Sequence, residues 1–463
     1  MNLRCPAKAM NQAPADAVVF PKGLSGYLVR SVLDAFARIQ RGVLHLQYPD
    51  GAIAEFGEPE SGPRVHLRLH SWNGLLRLAQ SGSVGAGEGY TAGDWDCDNL
   101  PGLVELFCIN EEALSPSSNL RTLLHRLSHW ANRNSVVGAR KNIHAHYDIG
   151  NDFYQCFLDR SMTYSCALFE HPEDDLETAQ TAKYRKIAEL ARLTPGMSIL
   201  EIGCGWGGFA EFAAREHHCK VAAISLSQEQ LAYAQAHARQ EGLNDLIDYR
   251  FIDYRDLTGR FDRIVSIEMI EAVGHTFLDG FFAKCEELLA PEGLLVLQSI
   301  IIPDQRYDTY RSNPDWIQKY IFPGGHLPCL GSLLQAARRR SQLVVESVGN
   351  IGIHYAETLR RWRRQMLDSR DRILAQGYPT EFLRTWEYYL AYCEGAFASR
   401  YLQDLLILMT RPMNQSMPTW PYTPDPFTSS RLRGFQENIP ETTPSLPLHS
   451  PSFHPENECI HLP

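Results

Sequence analysis

The chain has 463 residues, of which 44% are apolar and 21% charged, enough to build more than one globular core. Forty-four Lys and Arg against 54 Asp and Glu leave a net charge of -10, which argues against a dedicated nucleic-acid binder, since such proteins draw affinity from phosphate neutralisation. The 11 cysteines are scattered without a CxxC pair, so neither a disulfide framework nor a zinc or other metal site is signalled.

Residues 1–20 read as a flexible tail with no continuous apolar core of a secretory signal. No window reaches the ~18 apolar residues of a membrane-spanning helix, so the expectation is a cytoplasmic protein, with any membrane contact peripheral on the inner face. Ser25 to Arg41 has helical periodicity, with Leu28, Val29, Val32, Leu33, Phe36 and Ile39 on one side. The runs VLHLQYPDG, AIAEFGE and RVHLRLH alternate as strands, with a turn at Pro49-Asp50-Gly51. WNGLLRLAQSG and PGLVELFCIN read as helices. Together they predict a small α+β domain over residues 21–115. Residues 116–141 follow as a basic linker helix carrying Arg121, Arg126, Arg133, Arg140 and Lys141, either a solvated face or a patch for anionic headgroups.

From about residue 176, strands such as SILEIG, KVAAISL, IDYRFID, DRIVSIEM and GLLVLQSIII alternate with helices, which predicts a parallel α/β sheet covered on both faces. Arg306 to about Leu405 reads as mostly helical, a lid inserted before a closing strand, LLILMTRP. Residues 412–463 are rich in Pro, Ser and Thr and read as a disordered tail.

The run Ile199 to Gly208 is a strand entering a glycine turn and then a helix. Glycines there permit positive φ and close approach of backbone to a ligand. A structural turn or a nicotinamide site would share that geometry. However, Glu201 on the strand and the spacing of Gly203, Gly205, Gly207 and Gly208 resemble motif I of class I S-adenosylmethionine (SAM) methyltransferases. At the end of the second strand, Ser225-Leu226 and Gln230 stand where an acid usually holds ribose hydroxyls. In the next loop, Asp253 could accept from an adenine amine and Tyr254 could stack on its ring, beside Arg255.

Several further runs carry a wider likeness: GYTAGDWDCDNL, HAHYDIGNDFY with MTYSCA, Glu268-Met269-Ile270-Glu271-Ala272-Val273-Gly274-His275, Tyr320 to Gly325, and Trp386 to Leu390. Over roughly residues 85 to 411 the chain resembles the cyclopropane-fatty-acyl-phospholipid synthase family, and looks most like its plant-type branch. The resemblance implies a Rossmann-like, seven-stranded SAM methyltransferase domain over residues 142–411 with a helical lid. It implies transfer of a methylene group from SAM to a cis double bond of an unsaturated phospholipid acyl chain, with a bound bicarbonate ion as base. On that likeness Glu271 and Tyr389 hold the ion, with Tyr388 as the alternative register, and Cys166 and Ile300 offer it backbone groups. Gln298 stands where prototype bacterial members have His, which leaves a methylene- or methyl-branched product open. Tyr164 and Ser165 match family positions that contact SAM. The first domain is expected to dock on the bilayer or to pair subunits into a homodimer. A methyltransferase for small amines and a catalytically silent lipid binder are the rival classes. Cation-stabilising rings are expected among Tyr164, Tyr320, Phe322, Tyr355, Trp386 and Tyr389, and Arg360, Arg361, Arg363 and Arg364 either meet phosphates or form a solvated face.

Overall fold

The computed structural model describes residues 19–58, 61–114, 149–313 and 315–417. The basic linker helix, most of both tails and the first part of the HAHYDIGNDFY run lie outside the described residues.

The amphipathic stripe expected near the N-terminus forms helix α1 (Gly23–Phe36), which buries Val29, Val32, Leu33 and Phe36. Strands β1 (Gly42–Gln47), β2 (Ile53–Glu58) and β3 (Arg64–Leu69) follow, and the alternation read in RVHLRLH buries Val65, Leu67 and Leu69. With β4 (Trp95–Cys97) they make a four-stranded sheet in the order β2-β1-β3-β4, in which β1 and β3 are parallel. The turn between β1 and β2 uses Gly51 at φ +90°.

Helix α2 (Asn73–Thr91) continues past the segment that reads as helix in the sequence, bending at Gly82. Its second half contains Gly85, Gly87 and Gly89, residues that weaken a helix on their own. Packing explains them. A Cβ at Gly87 would stand 2.4 Å from Trp316 Nε1 and 2.7 Å from Tyr388 Cε1, so only glycine lets this helix close on the lid. Helix α3 (Leu100–Ile109) completes the unit, capped by the Asn99 side chain, which accepts from the Gly102 N–H.

The large sheet has the order β10-β11-β9-β8-β5-β6-β7. Strands β5 (Ser198–Ile202), β6 (Lys220–Ser225), β7 (Ile247–Phe251), β8 (Phe261–Ile267) and β9 (Leu289–Ile301) are mutually parallel. The closing strand β11 (Gln403–Thr410) enters antiparallel between β9 and β10. Helices α4 (Leu176–Ala191), α5 (Gly208–His217), α6 (Gln228–Gln240) and α7 (Leu278–Leu288) accompany the strands. Order reverses at β5, so the carboxyl ends of β5 and β8 open the crevice where α/β folds bind ligands.

The insert holds α8 (Asp304–Ser312), α9 (Trp316–Tyr320), α10 (Leu330–Arg340), α11 (Gly352–Asp368), α12 (Arg370–Ala375) and α13 (Thr380–Ala398). It is not wholly helical, because β10 (Val344–Asn350) runs through it as the sheet's edge strand. Its residues alternate between exposed and half-buried, so the strand lacks the apolar face that marks the central strands.

Both sheets belong to one compact unit ending at Met417. Arg384 of α13 ties them together. It donates to the carbonyls of Tyr90 and Trp95 and to Asp96 Oδ1, at 2.8, 3.2 and 2.8 Å, with its guanidinium over the Tyr90 ring.

The arginine run on α11 is engaged with acids and carbonyls. Arg360 and Arg361 meet Glu357, Arg363 meets Glu394 at 2.9 Å, and Arg364 lies 3.9 Å from Asp368. This favours the ordinary helix-face reading over a phosphate clamp.

Candidate active site

The glycine turn after β5 is held by the Gly203 and Cys204 N–H groups, each 3.0 Å from the Ile224 carbonyl on β6. Gly203, Gly205 and Gly207 have φ of +85°, +52° and +91°. A Cβ at Gly203 would lie 2.6 Å from Met269 Cγ, whereas nothing stands within 4 Å of one at Gly205. The first glycine therefore serves the turn and the second leaves open space beside it.

That space is a cavity of about 590 Å³ at the carboxyl ends of β5, β6 and β8. Its wall includes Tyr164, Ser165, Glu201, Gly203, Gly205, Ser225, Leu226, Gln230, Asp253, Tyr254 and Arg255, so the structure brings every cofactor-site candidate to one place. Ser225 Oγ donates to Gln230 Oε1 at 3.3 Å, making a polar pair at the end of β6. Leu226 is 65% exposed, an apolar rim open to a flat ring. Asp253 receives Arg255 through both carboxylate oxygens, at 2.9 and 2.6 Å, and this ion pair holds its carboxyl below the usual range. Tyr254 packs edge-on against Phe281.

Glu201 is buried, and its Oε2 has no hydrogen-bond partner. Burial pushes its carboxyl up to about 8, against the pull of Lys183. An acceptor left open in a cavity walled by glycines, hydroxyls and a ring suits a ligand that brings donors, and these residues fit SAM. The folded chain holds the Glu201 proton from about pH 4.5 to 8 while the unfolded chain has lost it, so stability falls as pH rises through that window. The urea midpoint of the ligand-free protein should drop between pH 6 and 8.5, and Glu201→Gln should recover about 1 kcal/mol or more of that loss. An identical pH slope in the variant would show that Glu201 does not carry the effect.

A second cavity of about 1270 Å³ lies between the sheet and the lid, larger than the about 300–1,000 Å³ of common small-molecule pockets. Much of its wall is apolar, including Ile300, Ile302, Ile321, Phe322, Leu359 and Phe397, while Arg306, Gln305 and Asn313 also line it. Glu271 and Tyr389 face it. Tyr388, one residue from Tyr389 and about 100° around the helix, packs instead on Tyr90, Trp95 and Trp316. Of the other rings, Phe322 and Tyr355 line this cavity. Tyr320 bonds Glu88, and Trp386 is buried against Phe153 and Tyr389.

The two cavities share Tyr164, Glu268 and Ala272 in their walls. Across this junction the Tyr164 and Tyr389 hydroxyls lie 2.9 Å apart.

Beneath the junction is a buried polar cluster. Glu268 stands at φ +47°, a backbone state that a non-glycine residue holds at a cost of about 1–3 kcal/mol. Its Oε1 accepts from the Cys166 N–H at 2.7 Å and from Gln298 Nε2 at 2.8 Å, and its Oε2 accepts from the Tyr355 hydroxyl at 2.7 Å. The same Gln298 amide donates to Asp404 Oδ2 at 2.8 Å. Glu271 Oε1 accepts from the Ile300 N–H at 2.5 Å and the Ser299 hydroxyl at 3.1 Å. Lys183, wholly buried on α4, donates to Ser165 Oγ at 2.7 Å, and Glu268 and Asp404 are among its charge partners. Burial raises the carboxyls of Glu268, Glu271 and Asp404, Glu271 to about 8, and their mutual repulsion adds to this.

The Cys166 thiol is fully buried, and burial pushes it well above the usual thiol range, so its backbone N–H, not its sulfur, serves the site. Gln298 also lies behind the cavity wall, 1% exposed. Of the groups expected to hold bicarbonate beside Glu271, the N–H groups of Cys166 and Ile300 and the Gln298 amide are thus engaged by carboxyl groups of the chain itself, and the Tyr389 hydroxyl is paired with that of Tyr164. The buried atoms left open are acceptors: Glu271 Oε2, Gln298 Oε1 and Asp404 Oδ1. With these backbone and amide donors already taken by the chain's own acids, none of them is left to hold a further anion, so this donor set does not fit bicarbonate.

Sequence reasoning missed Glu268, Lys183 and Asp404. The available signals were a carboxylate three residues before Glu271, a lysine on the apolar face of α4, and a lone acid in the apolar strand LQDLLILMT.

The family described as mycolic acid cyclopropane synthetase matches residues 135–406. The chain is 37% identical over 364 residues to the cyclopropane-fatty-acyl-phospholipid synthase of Escherichia coli K12, covering 76% of this chain and 89% of that protein. It is 36% identical over 370 residues to tuberculostearic acid methyltransferase UfaA1 of Mycobacterium tuberculosis, covering 78% and 86%. The solved structure of mycolic acid cyclopropane synthase CmaA1, complexed with SAH and CTAB, superposes with a TM-score of 0.54 at 29% identity, covering 58% of this chain and 97% of that one. With a glycine-turned cofactor cavity sharing wall residues with a larger, mostly apolar one, the chain belongs to the mycolic acid cyclopropane synthetase family and is a SAM-dependent methyltransferase of the cyclopropane synthase type.

Proposed function

We propose that the protein adds a one-carbon unit from SAM to the cis double bond of an unsaturated phospholipid acyl chain, forming a cyclopropane ring. The observation that carries this reading is the junction at Tyr164, Glu268 and Ala272, where the cofactor cavity meets the apolar one. Bound SAM supplies an electrophilic methyl group. The apolar wall seats the acyl chain and keeps water away from the charge that develops on it. Tyr164, Phe322, Tyr355 and Tyr389 line this cavity, and a ring face turned to that charge is worth about 0.5–2 kcal/mol to a cation. Glu271, with one oxygen pinned by Ile300 and Ser299 and the other open, presents a polar carboxyl group on the acyl side.

Among the described residues no helix is long and apolar enough to cross a membrane. In this reading a peripheral, cytoplasmic enzyme takes the lipid from the surface of the inner leaflet. A second reading, C-methylation to a methylene- or methyl-branched chain, is favoured by the similarity to UfaA1, nearly equal to that of the Escherichia coli synthase.

The test combines the protein, SAM and vesicles of cis-monounsaturated phospholipid, followed by mass spectrometry and proton NMR of the acyl chains. A gain of one CH₂ with high-field ring protons supports the ring, and the same gain with vinylidene protons supports the branch. No gain sinks both. Glu271→Gln should keep SAM affinity and slow turnover about tenfold, as for a single electrostatic contribution of about 1.4 kcal/mol. Undiminished turnover would remove Glu271 from the reaction.

A further inference from the structure

We infer that Glu268 fills the place of the anion and is the group that accepts the proton lost from the delivered carbon, so that this chain runs its reaction without bicarbonate. The inference rests on the reading above for the identity of the substrate.

Geometry supports the assignment in three ways. First, Glu268 lines both cavities, whereas Glu271 lines only the acyl one, so Glu268 alone of the cluster's acids borders the space where cofactor and chain meet. Second, its backbone is held in the left-handed region, and that turn sends the side chain into the donors of Cys166, Gln298 and Tyr355. Strain of this kind persists only where surrounding contacts impose it. Third, hydrogen bonding separates the acids by charge state. A carboxylate accepts only, while a carboxylic acid must also donate. Both Glu268 oxygens receive donors, which is the pattern of an ionised group, while Glu271 Oε2 and Asp404 Oδ1 receive none and suit the protonated form.

In the step itself, the alkene's π pair has bonded the transferred carbon, whose bond to the sulfonium has broken with its electron pair left on the departing neutral thioether, and a neighbouring chain carbon is cationic. An O–H bond to Glu268 forms as one C–H bond of the transferred carbon breaks. The pair that held the hydrogen closes the third side of the ring on the cationic carbon. The proton then leaves Glu268 for solvent, which restores the carboxylate.

The experiment compares the full-length protein with two variants, in carbonate-free buffer and with added bicarbonate. Carbon-13 NMR of labelled bicarbonate reads binding without requiring turnover, and the vesicle assay reads turnover. The wild-type protein should show no bicarbonate binding and the same turnover in both buffers. Glu268→Gln should retain SAM affinity and lose about 10²-fold or more of turnover in both. Glu268→Gly suits the positive φ and frees the Cys166 and Gln298 donors, so it should bind the labelled anion and gain turnover about tenfold or more when bicarbonate is added. Bicarbonate bound to the wild-type protein, wild-type turnover that requires it, or a Glu268→Gln variant within about threefold of wild type would each overturn the inference. If the wild-type protein modifies no acyl chain in either buffer, the lipid reading and the proton-transfer step fall together. The NMR measurement still decides who occupies the anion's place.

Discussion

Replacing Lys183 with Met should cost the protein about 3–5 kcal/mol at pH 8, the scale seen when one partner of a buried ion pair is removed. Lys183 is the only Lys or Arg side chain wholly buried among the described residues, and its charge partners include Glu268, Asp404 and Asp159. Methionine fills the space but leaves several acids without a counter-charge, so their protons must be kept more tightly in the folded state. The penalty should therefore depend on pH. Near pH 5.5 the raised carboxyls hold their protons in the wild-type protein as well, and the lysine is then itself a buried charge with less to offset it. The variant should approach wild-type stability there and fall away as pH rises. Urea unfolding at pH 5.5 and 8, followed by circular dichroism, measures both limbs. A loss of equal size at the two pH values would mean that Lys183 acts through packing alone.

Gly203→Val should remove SAM binding by a factor above about 10², or more than about 2.7 kcal/mol. Two costs coincide at this position. A β-branched residue is strained at φ +85°, and its Cβ would stand 2.6 Å and 2.8 Å from Met269 Cγ and Cβ. The Met269 Cβ is fixed to the backbone and cannot swing aside, so the turn carrying Glu268 must move with it. We expect an additional stability loss of about 2–5 kcal/mol. Gly280→Ala is the control, since nothing lies within 4 Å of its Cβ and its φ is not positive. Calorimetric titration with SAM distinguishes the two variants. Retained affinity in Gly203→Val would take the loop out of the cofactor site.

Much of this architecture was legible in the chain because local pattern and tertiary role agree. The alternation of β3, the apolar runs of β5, β6 and β9, and the glycine turn each bury or bend as their residues dictate on their own. The helix from Gly82 to Thr91 was not legible, because glycine opposes helix until Trp316 and Tyr388, from far along the chain, demand its smallness. Strand β10 was hidden by its position at the sheet edge, where neither face is deeply buried. The cofactor candidates clustered as expected, since they follow consecutive strand ends of one sheet. The charge cluster escaped, because its meaning depends on Cys166, Lys183, Glu268, Gln298 and Asp404 meeting from separate elements, and no local spacing encodes that meeting.

The grip of Arg384 on Tyr90 spans 294 positions of sequence. As the chain emerges from the ribosome, the first sheet can assemble long before α13 exists. Contacts of such separation close late, after most of the chain entropy has been spent. Tyr389 rides on α13, so the phenol at the reacting junction reaches its place only when a late-made part of the chain settles on an early one. An intermediate with both sheets formed and this helix still loose would be folded by most optical measures and catalytically silent.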